Sequence, residues 1–67
     1  MDSFKKLEWI IECIKQFNHE LKEESVRRLY NDEHEHEMSE KEFFNLMREL
    51  YNVGRVSLDC DKHLHYN

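Results

Sequence analysis

The side chains with the most chemistry in this chain are five histidines, two cysteines and fifteen carboxylates. His34 and His36 alternate with glutamates in Glu33-His34-Glu35-His36-Glu37, while His63 and His65 follow Cys60 and Asp61. Imidazoles mixed with carboxylates or a thiolate suit zinc or nickel. His63 and His65 share one face of an extended strand with Cys60 near, but a closed tetrahedral site needs a fourth ligand and neither cluster supplies one. The spacing therefore predicts no resident metal and no other cofactor. The same imidazoles titrate near pH 6.5, so acidification would carry the formal charge from -5 to about 0.

Nothing pairs a nucleophile with a base. Ser3, Ser25, Ser39 and Ser57 fall at caps, on a helix or on a strand. Gly54 is the single glycine, and one glycine cannot build a phosphate-cradling loop. The chain reads as a non-enzyme. Cys13 lies on the apolar side of a helical pattern and Cys60 beside a turn, so both read as free thiols.

Sixty-seven residues, 37% of them charged, make one domain spanning 1–67. A chain this short buries only about 60% of its unfolded surface, which limits stability to roughly 3 to 10 kcal/mol and leaves little room for a deep cleft. No apolar run approaches the ~18 residues of a membrane span. The lysine pair before the first apolar stretch superficially suggests a secretory leader, but Glu8 and Glu12 interrupt that stretch, so the expected location is cytoplasmic and no membrane is expected among the partners.

Phe4, Leu7, Ile10, Ile11, Ile14 and Phe17 recur at helical spacing, with Trp9 widening the stripe, and predict a first helix capped by Asp2 or Ser3 and leaving at Asn18. Leu21, Val26, Leu29 and Tyr30 predict a weaker helix over 21–31, ended by Asn31-Asp32. Residues 32–37 hold no apolar side chain and predict a solvated connection. Ser39-Glu40-Lys41-Glu42 is a capping box opening a third helix, lined by Phe43, Leu46, Met47, Leu50 and Val53, broadened by Phe44 and Tyr51, and stopped at Gly54. The period then falls to two at Val56, Leu58, Leu64 and Tyr66, a hairpin. Keeping those four on one face pairs 58 with 64 and 56 with 66, with Cys60-Asp61-Lys62 as the loop and Asp61 as its left-handed residue. The aromatic side chains are expected in the core, and an accessible Trp9, Phe44 or Tyr51 would mark an interface.

This order, mostly α with a small β-hairpin, resembles a winged helix-turn-helix domain. The likeness is closest over 38–67, where Met38-Ser39-Glu40-Lys41-Glu42-Phe43-Phe44-Asn45-Leu46-Met47-Arg48-Glu49-Leu50-Tyr51-Asn52-Val53-Gly54-Arg55-Val56 is similar to a third helix running into a first wing strand. The resemblance implies a three-helix domain with a C-terminal wing, a third helix that enters a DNA major groove and a wing that touches the backbone. On that implication Lys41, Asn45, Arg48 and Asn52 would face the groove, with Arg55 and Lys62 on the wing. The connection before the third helix is longer and more acidic than the pattern wants.

Charge is distributed unevenly. Residues 1–19 and 43–67 each balance three acids with three bases, whereas residues 20–42 hold nine acids against Lys22, Arg27, Arg28 and Lys41. Each cation missing from a phosphate contact removes roughly 0.9 from the salt slope of duplex binding, and only a homodimer would double the few available. An acidic face instead steers a basic protein partner and repels nucleic acid. The expectation is a regulatory or adaptor module that binds a protein with a basic surface through Asp32, Glu33, Glu35, Glu37 and Glu40 together with the third helix, the alternative being a DNA-binding regulator.

Overall fold

The computed structural model describes residues 2–35 and 37–67, without the side chains of Asp2 and Ser3. The cap expected from those two side chains and the His36 half of the first histidine pair therefore lie outside what is described.

Three helices, α1 (Asp2–Gln16), α2 (Glu23–Glu33) and α3 (Glu40–Asn52), precede an antiparallel hairpin of β1 (Val56–Leu58) and β2 (Leu64–Tyr66). The chain is mostly helical with a small wing-like hairpin at its C-terminal end, as the spacing predicts. Every element contributes to one apolar core: Ile10, Cys13 and Ile14 from α1, Val26 and Tyr30 from α2, Phe43, Leu46, Met47 and Leu50 from α3, and Val56 and Leu64 from the strands. Met38, immediately before α3, is fully buried with them. Its N–H donates to Asn31 Oδ1 at 2.7 Å and its carbonyl accepts from Arg27 Nε at 3.1 Å, so an apolar anchor with satisfied backbone ends the polar turn.

Caps explain where the helices stop and start. Ser39 Oγ accepts from the Glu42 N–H at 3.1 Å, half of the expected capping box. The other half is replaced: the Glu42 carboxylate accepts from Lys6 Nζ at 2.6 Å and ties α3 to α1. At the far end Gly54 has φ 76°. The Gly54 N–H donates to the Tyr51 carbonyl and the Arg55 N–H to the Leu50 carbonyl, both at 3.1 Å, which is a Schellman closure.

The hairpin has the expected register, Val56 with Tyr66 and Leu58 with Leu64. Its left-handed residue is Lys62, φ 66°, and not Asp61. Asp59 explains the difference. Its carbonyl accepts from the Lys62 N–H at 3.0 Å, completing a tight turn that puts the left-handed position at the last loop residue. Its carboxylate Oδ1 accepts from the Asp61 and His63 N–H groups at 2.9 Å.

Four other expectations change. Helix α2 begins at Glu23, because Leu21 and Lys22 are drawn out of helical backbone: the Leu64 N–H donates to the Leu21 carbonyl at 2.6 Å, and Lys22 bridges His63 as an antiparallel pair. It ends at Glu33, so Asp32 and Glu33 belong to its last turn and not to the connection. The left-handed residue after α1 is His19, φ 72°, whose N–H donates to the Leu64 carbonyl, while Asn18 Oδ1 receives the Tyr66 N–H at 2.9 Å. Finally Phe4, Phe17, Phe44, Val53 and Leu58 are exposed, because the stripes that hold them run past the small core they cover.

Candidate functional site

The acidic end of α2 faces α1 across an open groove of about 790 Å³. Its floor is aromatic. Trp9 of α1 meets Tyr30 of α2 edge-on, with ring centroids 5.2 Å apart, and the His34 ring stacks on Tyr30 at 3.9 Å with 12° between planes. His34 sits one helical turn beyond Tyr30, the spacing that brings side chains together on a helix, and its Nδ1 lies 2.9 Å from the Tyr30 carbonyl. Glu33 and Glu35 stand on one wall and Lys5 and Lys6 on the other.

The electrostatics of that wall run against the local structure. Asp32 and Glu33 occupy the last turn of α2, with no basic residue in it. There the backbone dipole is negative, and each carboxylate costs about 0.3 to 1 kcal/mol. No ion pair among the described residues engages Asp32, Glu33, Glu35 or Glu37. Burial, and then the charge of Glu33, push the Cys13 thiol up from its ordinary value, which keeps it protonated. Both cysteines are free, Cys13 buried and Cys60 exposed.

Glu40 does not join this groove. It lines a small hollow between the starts of α2 and α3 with Glu23, Glu24, Arg27 and Phe44. The expected acidic set is thus divided: Glu33 and Glu35 share the aromatic groove, Asp32 is exposed on the last turn of α2 and Glu37 on the segment before α3, and Glu40 lies with the second hollow.

Lys41, Asn45, Arg48 and Asn52 are all exposed and follow one another along the outer face of α3, and Arg55 and Lys62 are exposed beyond it. They do not make a continuous cationic strip. Glu42 and Glu49 line a hollow with Lys41 and Asn45, and Glu23 lies with Arg48 and Asn52 around Phe44, which is 61% exposed at the centre of the face. The Glu23 carboxylate is held there by the Tyr51 hydroxyl, which donates at 2.6 Å.

The sequence places Tyr30 in the core, where it is buried, and marks Trp9 as an interface residue if accessible, but does not bring His34 onto them to floor a groove. The four-residue step from Tyr30 to His34 was the available signal, hidden by ending the second helix at residue 31. It also missed the convergence at the hairpin tip. There His65 Nε2 donates to Asp59 Oδ2 at 2.7 Å, the His19 ring meets the His65 ring at 3.9 Å, and Asp59, Asp61 and His63 come together in place of the expected Cys60, His63 and His65. No helix among the described residues is long and apolar enough to cross a membrane. The chain matches no family model, no curated protein and no solved structure.

Proposed function

We propose that this chain is a non-enzymatic regulatory or adaptor module that binds a basic segment of a protein partner in the groove between α1 and the acidic end of α2. The observation that carries this reading is the acidic run Asp32, Glu33, Glu35 and Glu37, none of them in an ion pair among the described residues, with Asp32 and Glu33 at the unfavourable end of α2 and Glu33 and Glu35 beside an aromatic floor. Side chains that cost stability where they sit are candidates for function. A lysine or arginine of the partner would gain the Trp9 ring face as well as the carboxylates. Glu40 and Phe44 offer a second contact along α3.

Winged helix-turn-helix ancestry is part of the same proposal. Element order supports it, as does the Lys22–His63 bridge, which adds a third short strand segment to the hairpin. The DNA-binding alternative draws support from the alignment of Asn45, Arg48 and Asn52 along α3, but Glu23, Glu42 and Glu49 interrupt the cations that phosphate contacts need.

Trp9 is the single tryptophan and reports on the groove directly. Titrating the chain at low salt with an arginine- and lysine-rich peptide should shift Trp9 emission with micromolar affinity, and the double change Glu33→Gln with Glu35→Gln should weaken binding at least tenfold. Random duplex DNA should leave the protein unbound. Micromolar duplex binding with a steep salt slope, lost in Arg48→Ala, would replace this proposal with the nucleic-acid one.

A further inference from the structure

We propose that the tip of the C-terminal hairpin is a binding site for a divalent metal ion of the zinc and nickel class, held by Asp59, Asp61 and His63. One ligand atom from each of these residues lies within 4.8 Å of the other two. His63 Nδ1 stands 3.9 Å from Asp59 Oδ1. Bonds of about 2.0 to 2.2 Å to nitrogen and oxygen draw ligand atoms closer together than that, and the exposed Asp61 side chain and half-buried His63 supply the motion by rotation alone.

The cluster joins one imidazole to two carboxylates. His65 stands beside it on the second arm of the hairpin, with the His19 ring 3.9 Å from its own. His65 donates to Asp59 Oδ2 at 2.7 Å, the arrangement in which a neighbouring group orients a ligating carboxylate. Nitrogen and oxygen donors in this mixture favour zinc, nickel or copper over magnesium or calcium. With three protein ligands, further positions fall to water, so the site exchanges its ion. The groove between α1 and α2 takes no part, and the inference stands independently of the partner proposal.

The full chain, prepared without a histidine tag, is titrated with zinc chloride and then nickel chloride by calorimetry, while histidine ring resonances are followed by NMR. One equivalent should bind, with the His63 and His65 signals moving first. His63→Ala and Asp61→Asn should each weaken binding at least tenfold, His65→Gln by about tenfold through the carboxylate it orients, and His34→Ala not at all. Far-ultraviolet circular dichroism establishes that each variant remains folded, and His63→Gln serves if the alanine variant does not. Binding that survives both His63→Ala and Asp61→Asn, that disappears in His34→Ala, or that is absent below millimolar metal overturns the site.

Discussion

The Tyr51 hydroxyl donates to the Glu23 carboxylate at 2.6 Å and joins the last turn of α3 to the first turn of α2 across 28 residues of chain. Burial, then the hydrogen bond and the charge of Glu23, push the phenol well above the ordinary tyrosine value. Tyr51 should therefore stay protonated well above the ordinary tyrosine value of 10.0, so Tyr51→Phe should leave the absorbance change at 295 nm near that pH unaltered. Tyr51→Phe should cost about 1.5 kcal/mol, at the low end for a bond to a charged group because the pair is only half-buried, measured by chemical denaturation.

Asp59 makes stability depend on acid pH. Its folded value of about 2 lies below the ordinary 3.8, so the ionised form is favoured by folding. The contribution is fully present above about pH 4 and is lost as pH falls towards 2. Asp59→Asn keeps an oxygen that can accept the two backbone bonds but removes the charge facing His65. The variant should melt below the parent at pH 6, with a clearly smaller gap at pH 2. A gap of the same size at both values would show that the charge is not what His65 recognises.

Gly54 should resist replacement for a purely conformational reason. A Cβ there would meet nothing within 4 Å, but φ is +76°. Gly54→Ala should thus cost about 1 to 2 kcal/mol, which for a domain of this size lowers the melting temperature by roughly 4 to 16 °C.

Leu64 is fully buried where β2 meets α1 and the residues before α2. Leu64→Ala should cost about 2 to 5 kcal/mol. Against a total of roughly 3 to 10 kcal/mol for a chain of this length, that is a large share, and towards the lower end of the range it leaves a large unfolded fraction at 37 °C, visible as lost helix signal.

Local chemistry was legible in the residues themselves. Ser39 caps α3, Gly54 stops it, and keeping Val56, Leu58, Leu64 and Tyr66 on one face sets the register of the hairpin, because each depends on neighbours a few positions away. Periodicity identified the buried faces of α1 and α3, though not where they run out at Phe4, Phe44 and Val53, since a pattern in sequence does not say how much core there is to cover.

What the fold alone decided are contacts between residues far apart in the chain. Leu21 and Lys22 have helical neighbours yet pair with the second arm of the hairpin, some forty residues away, because its backbone groups need partners that the short hairpin does not provide. His19 takes a left-handed conformation for the same strand. The acidic run was plain in the composition, but its division into a groove over Trp9 and a hollow beside Phe44 depends on how α1 and α3 cross α2. Charge and helical period belong to the chain, whereas which carboxylate faces which ring is set by the crossing of helices that one small shared core holds in place.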